Sequence, residues 1–210
     1  MPSTETMHSH AGLIGPNAVT RLAEALAAQV GSERTASIFG EAGQAKLLAA
    51  PPEKMVDEQI VTALHVAMRH QLDTPQALRA STRAGELTAD YLLANRIPRP
   101  VQALLRVLPA TLAARLLVLA IGRHAWTFAG SGQFAALFLP HALGKGAPRL
   151  RFSITGCLVC RGAEASQPAC AYYAATFERL FRKLVHRGAS VVESRCEARG
   201  DSSCEFDIRW

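Results

Sequence analysis

All five cysteines of this 210-residue chain, Cys157, Cys160, Cys170, Cys196 and Cys204, lie in its last quarter, in a pattern that restricts how that quarter can fold. From Pro168 the chain reads PACAYYAATFERLFRKLVHRG, and Cys170, Tyr173, Ala174, Phe177, Phe181 and Leu184 recur at three- and four-residue steps. That spacing predicts a helix buried on one face. Pro168 stands near its start, and Gly188 follows its basic end. Further on, Cys204, Phe206, Ile208 and Trp210 alternate with Glu205, Asp207 and Arg209, the period of a half-buried strand. Gly200-Asp201-Ser202 is a turn signal, so Cys196 and Cys204 fall on the two arms of a hairpin. A three-residue loop centred on Gly200 sets them opposite each other on the apolar face. The helix carrying Cys170 packs on that face, so three thiols converge.

Converging thiols have three readings. Free cysteine behaves as a small hydrophobe, so the cluster can simply fill the core. A structural zinc site needs four soft ligands. Cys157, ending the strand 149–156, supplies the fourth beside Cys170, Cys196 and Cys204, with Cys160 of the Cys157-x-x-Cys160 pair as the alternate. A disulfide is the third reading. Against it stand the odd cysteine count and an N-terminal run, MPSTETMHSHAG, without the basic and apolar regions of a secretion signal. A cytoplasmic protein is expected.

The rest of the chain reads as α+β: a helical N-terminal half packed on a small C-terminal antiparallel sheet. Residues 1–12 read as a flexible tail, 13–130 as a helical region, and 131–210 as a sheet-and-helix region forming one compact domain with it. Helices are predicted over 17–30, from Ser32 through Phe39 to Leu48, over 53–72 with Val56, Ile60, Leu64, Ala67 and Met68 in its stripe, and from Thr74 through Leu78, Leu87, Tyr91 and Leu92. Two further helical runs follow Pro100, bent at Pro109. Strands are predicted over 132–140 and 149–156, with a Gly/Pro loop at 143–148 between them. Gly130-Ser131-Gly132 reads as a hinge between the helical half and the sheet.

The most apolar stretch, 107–122, is 16 residues long with Pro109 and Arg115 inside it. A membrane span wants about 20 apolar residues and no central arginine, so this reads as a helix packed nearly all round. An exposed apolar face on it would need covering, which makes a homodimer the expectation. The net charge of +6 favours acidic partners. The basic residues are scattered, no nucleic-acid module is recognisable, and nucleic acid is not an expected partner.

The segment 149–210 resembles the 4-vinyl-reductase domain in four places. These are the strand ending at Cys157, the helix opened by Cys170, the strand to Cys196, and Ala198-x-Gly200-Asp201-x-x-Cys204-x-Phe206. Three other stretches, IGPNA (14–18), GRHAWTFAGSG (122–132) and YYAATFERLF (172–181), are similar to the bacteriochlorophyll-biosynthesis J protein family of phototrophic bacteria, also called the bacteriochlorophyll 4-vinyl reductase family. The resemblance implies a fold related to haem–nitric-oxide-binding domains, with helices and sheet around an apolar ligand cavity. It implies a tetrapyrrole ligand, and the family name asserts reduction of a vinyl group on that ring.

Such a reduction needs a hydride or electron source against the ring. The sequence has no Gly-x-Gly-x-x-Gly after a strand, no phosphate loop and no iron–sulfur spacing, so no nucleotide cofactor site is expected. The favoured reading is therefore a non-enzymatic, soluble binding or carrier protein for a porphyrin, Mg-porphyrin or protochlorophyllide-type ligand in bacteriochlorophyll biosynthesis. It would serve magnesium chelatase or the next pathway enzyme. The alternatives are a vinyl (8-vinyl) reductase with an external electron donor, and a ligand-sensing regulatory module. A macrocycle needs a flat apolar slot, an axial ligand and cations near its carboxylates. His124, Trp126, Phe128, Phe134 and Phe138 form the densest aromatic segment and are the candidate lining, with His124 as axial ligand. Arg123 and Arg99 are candidate carboxylate partners, and His65 and His70 are lesser histidine candidates.

Overall fold

In the computed structural model, residues 12–140 and 147–210 are described; the N-terminal tail and most of the Gly/Pro loop at 143–148 lie outside them. Two helical segments open the chain, joined into α1 (Asn17–Glu41) across a break at Gly31, whose φ of 83° lies outside helical space. The short α2 (Lys46–Ala49) follows. Helix α3 (Glu58–Gln71) starts five residues later than the Pro51-Pro52 signal suggests. Val56–Asp57 instead forms β2 and pairs antiparallel with β1 (Leu13–Ile14). Asp57 then caps α3 by accepting from the Gln59 N–H at 2.8 Å. Two-residue strands carry no periodicity, so nothing in the sequence separates them from the helix that follows.

Asp73 caps α4 (Thr74–Asn95) by accepting from the Gln76 N–H at 2.7 Å, and Pro75 stands in the first turn. The stripe expected to pack, Leu78, Leu87, Tyr91 and Leu92, is only half-buried. The buried face is the one bearing Ala77, Ala80, Ser81, Ala84, Gly85, Thr88 and Ala89. Small residues are needed there because α8 (Ala171–Leu184) lies directly against it. Pro98 and Pro109 precede two separate helices, α5 (Arg99–Val107) and α6 (Ala110–Arg123), and one turn, α7 (Trp126–Ala129), ends the helical half.

Strands β3 (Gln133–Phe138), β4 (Leu150–Thr155), β5 (Ser190–Arg195) and β6 (Cys204–Arg209) form an antiparallel sheet of order β3-β4-β6-β5. Phe152 faces Phe206 across β4 and β6, and both are fully buried under Phe177 of α8 at ring-centroid distances of 4.9 and 5.6 Å. Each such phenyl ring contributes about 2 kcal/mol by leaving water. Helix α8 is thus sandwiched, with Phe177 and Phe181 toward the sheet and Tyr172 and Thr176 toward α4.

Gly130-Ser131-Gly132 is a closed junction rather than a hinge. The buried Glu58 carboxylate, at the start of α3, accepts from the Ser131 N–H and hydroxyl at 2.6 Å each and from Arg161 at 2.8 Å. Gly130, at φ 59°, leaves no room for a side chain beside Glu58, and a Cβ at Gly132 would stand 2.9 Å from the Thr155 carbonyl oxygen. Among the described residues, no helix is long and apolar enough to cross a membrane. Helix α6 is not packed all round: Leu112, Leu116 and Leu119 are about half exposed.

Candidate functional site

The cysteines converge from every element of the C-terminal half. Cys157 and Cys160 lie in the turn after β4, Cys170 is the N-cap of α8, Cys196 follows β5, and Cys204 opens β6. All five are buried and none is in a disulfide. Their sulfurs are 3.4 Å apart for Cys157–Cys170 and Cys160–Cys204, 3.6 Å for Cys170–Cys204, 3.9 Å for Cys196–Cys204 and 4.0 Å for Cys170–Cys196. The helical half fastens the turn that carries Cys157 and Cys160. Thr62 donates to the Leu158 carbonyl at 3.0 Å and Arg69 to the Val159 carbonyl at 2.5 Å. From the other side, Glu197 accepts from the Gly156 and Cys157 N–H groups at 2.6 and 2.7 Å.

Two overlapping four-residue sets bring their donor atoms within 4.8 Å of one another: Cys157, Cys160, Cys170 and Cys204; and Cys170, Glu193, Cys196 and Cys204. The cluster can therefore hold a metal ion. The set expected from sequence is divided, because Cys157 falls in the first and Cys196 in the second. Cys160 is a full member of the cluster rather than a substitute for Cys157.

Glu193 was not foreseen. In a regular strand, residues three apart point to opposite faces. A bulge between Glu193 and Arg195 breaks the alternation and turns Glu193 toward the same cluster as Cys196. One Glu193 oxygen accepts from the Cys170 N–H at 2.8 Å. The other is buried with no hydrogen-bond partner. Burial, with Cys196 beside it, pushes the Glu193 carboxyl up to about 9. The Cys157 thiol and the other neighbouring sulfurs, with burial, push Cys170 well above the ordinary thiol range. A divalent cation inverts both tendencies by favouring the anionic forms. The Ala169 and Glu197 N–H groups donate to the sulfurs of Cys196 and Cys204 at 3.4 Å each, which also favours thiolate.

The aromatic segment divides between core and surface. Phe128 and Phe134 join Phe152, Phe177 and Tyr173 in one edge-to-face cluster with centroids 4.9–6.1 Å apart, so these rings fill the core. Phe138 is half-buried under the Arg115 guanidinium, 5.9 Å from its ring. Arg123 and His124 are exposed, and Trp126 is 39% exposed. They follow directly on the exposed stripe of α6, Leu112, Leu116 and Leu119, with Leu137 of β3 exposed as well. The His124 Nδ1 lies 2.8 Å from the Ala120 carbonyl oxygen. A carbonyl only accepts, so Nδ1 carries the proton and Nε2 of the neutral ring keeps a free lone pair.

Arg99 opens α5 and is exposed, and the exposed His70 pairs with Glu41 at 2.7 Å. His65 is fully buried against Tyr172, with neither ring nitrogen hydrogen-bonded, and burial holds it down to about 3. A cleft of about 460 Å³ lies elsewhere, along α4, α8 and β5. Glu86, Glu178, Arg179, Arg182, Lys183 and Arg187 line it, so it is charged rather than an apolar slot.

A helical half laid on a four-stranded antiparallel sheet is the architecture of the haem–nitric-oxide-binding class. The solved H-NOX protein from S. oneidensis, in its Fe(II)NO ligation state, superposes with a TM-score of 0.51 over 93% of this chain and 98% of that one, at 13% identity. The 4-vinyl-reductase domain matches residues 150–210, the stretch that holds all five cysteines. The chain is 40% identical over 197 residues to the "bacteriochlorophyll synthase 23 kDa chain" of Cereibacter sphaeroides, covering 93% of this chain and 89% of that protein. It is 37% identical over 196 residues to the protein of the same name from Rhodobacter capsulatus, covering 92% and 85%. The chain belongs to the family of these 23 kDa chains.

Proposed function

We propose that this chain binds a tetrapyrrole intermediate of bacteriochlorophyll biosynthesis and presents it to a pathway enzyme, as a binding or carrier protein rather than a catalyst. The observation that carries the reading is the His124 ring, which holds a free Nε2 at the end of an exposed apolar stripe. Leu112, Leu116 and Leu119 supply a surface for one face of a macrocycle, His124 an axial nitrogen for a central magnesium, and Arg123 a cation for a ring carboxylate. Trp126 stands one turn further along the chain. An open face suits a carrier, because it releases its ligand without unfolding. The relatives' name, a chain of bacteriochlorophyll synthase, supports a pathway enzyme as recipient.

The second part of the reading concerns the cysteines. Cys170, Glu193, Cys196 and Cys204 hold a structural zinc ion that ties the start of α8 to the β5–β6 hairpin. Support comes from the buried Glu193 oxygen that no donor satisfies and from three sulfurs spaced 3.6–4.0 Å. Zinc–sulfur bonds of about 2.3 Å place tetrahedral ligands about 3.8 Å apart.

Titrating the protein with magnesium protoporphyrin, followed by the Soret band and tryptophan fluorescence, tests the carrier reading. Saturable one-to-one binding below about 10 μM, roughly −7 kcal/mol, is expected. Absence of saturation sinks it. Reduction of a divinyl substrate under anaerobic conditions with an added electron donor would instead identify a reductase.

A further inference from the structure

We infer that the cysteine cluster is a binuclear metal centre, two divalent ions joined by the shared thiolates of Cys170 and Cys204. The inference extends the zinc reading above and rests on it. Its basis is the way the two donor sets overlap. Each set has four members, the number a closed zinc site takes, and they share two. One ion in the Glu193 set leaves Cys157 and Cys160 unused, although both sulfurs are fully buried and lie 3.4 Å from a shared one. A second ion held by Cys157, Cys160, Cys170 and Cys204 engages every sulfur in the cluster.

Charge and geometry agree with this. Three thiolates and a carboxylate around one divalent ion leave two negative charges in the core. Five thiolates and a carboxylate around two ions leave the same two, so the second ion adds no buried net charge. Each ion's four donors span both sides of the Cys170–Cys204 edge, which at 3.6 Å is close to the tetrahedral edge of about 3.8 Å. A thiolate sulfur has lone pairs for two cations, and shared thiolates join the ions of the six-cysteine, two-zinc DNA-binding modules. The surroundings fit a fixed cluster. Cys170 sits at the N-terminus of the 14-residue α8, where the helix dipole favours an anion, and backbone N–H groups donate to Cys196 and Cys204. On loading, each thiol gives its proton to solvent as its sulfur binds a cation, and no electron is transferred.

The test loads the reduced full-length chain with ¹¹³Cd²⁺, removes unbound metal, and measures metal content and the ¹¹³Cd NMR spectrum. About two ions per chain are expected, giving two resonances in the thiolate region that couple to each other through the shared sulfurs. Replacing Cys157 and Cys160 together by serine should remove one ion and the coupling. The resonance of the Glu193 set should remain, with the circular-dichroism spectrum unchanged. About one ion per chain, in wild type and double variant alike, overturns the binuclear centre and leaves the single-zinc reading standing. No bound ion overturns both. Two resonances without mutual coupling overturn the shared thiolates.

Discussion

Gly85 of α4 and Tyr172 of α8 meet so closely that a Cβ added at Gly85 would run into the Tyr172 carbonyl oxygen. The Thr176 hydroxyl donates to the Gly85 carbonyl at 3.1 Å, and the Thr88 and Tyr172 hydroxyls meet at 3.0 Å. This contact seats α8 between the helical layer and the sheet, and so sets the position of Cys170 at its start. Gly85→Ala forces the helices apart, which costs about 3 kcal/mol, while the better helix propensity of alanine returns about 1. A net loss of about 2 kcal/mol is expected in urea unfolding. Gly40→Ala is the control. Gly40 lies in α1 with nothing within 4 Å of its Cβ position, so this variant should gain stability.

Glu58 should make stability depend on pH. Burial alone would raise its pKa, but the hydrogen bonds from Ser131 and Arg161 outweigh burial and hold the carboxyl below its usual 4.5. The folded state therefore keeps a carboxylate that the unfolded chain protonates first. Its contribution is complete above the unfolded value and is lost as pH falls below about 4.5 through the lowered folded value. Glu58→Gln should cost about 2 kcal/mol at pH 7, the usual worth of hydrogen bonds to a charged group. The gap between the two proteins should close toward pH 3 in denaturant titrations. A gap independent of pH would show that Glu58 acts by shape alone.

Most of this architecture was legible from residue pattern, and the misreadings have physical causes. The α8 stripe and the alternation of β6 were readable because Phe177, Phe181, Phe206 and Ile208 are large and fall on regular periods. The packed face of α4 was not, because close helix contact selects small residues. Alanine and glycine mark that face only by lacking size, and Leu87 and Tyr91 drew attention to the wrong side. The convergence of Cys170, Cys196 and Cys204 was likewise readable. The part played by Glu193 was hidden by a bulge, which sequence alternation cannot register. Phe128 and Phe134 belong to the core, the ordinary place for aromatic residues at a junction.

His65 contributes an unpaired cost. Both ring nitrogens are buried without partners, and each unmet polar group costs about 1–3 kcal/mol. His65→Leu, similar in volume, should stabilise the protein by about 1–2 kcal/mol in chemical denaturation. A loss instead would show that His65 has a partner in solution, such as a buried water.

Metal removal should loosen one end of the molecule. Protein stripped with a strong chelator under reducing conditions should lose about 3 kcal/mol relative to the loaded form, the linkage worth of a site well above half-saturation. Glu193→Ala should weaken zinc binding while leaving α1 to α4 folded. Hydrogen exchange locates the change: faster exchange confined to the start of α8 and the β5–β6 hairpin is expected. Unchanged exchange there after chelation would mean that the cysteines only fill the core.

The carrier face yields the sharpest separation of roles. His124 binds the ligand through a nitrogen that only a central metal can use, whereas Leu116 acts through apolar contact with any macrocycle. His124→Ala should therefore weaken magnesium protoporphyrin by about tenfold, roughly 1.4 kcal/mol, and alter its Soret band. Metal-free protoporphyrin should bind the variant as it binds wild type. Leu116→Glu sets a carboxylate in the middle of the exposed stripe, where it repels ring carboxylates and interrupts the apolar surface. It should weaken both ligands alike. If Leu116→Glu leaves both unchanged while Arg182→Glu in the charged cleft weakens them, the ligand lies along α8 and the face on α6 serves a protein partner.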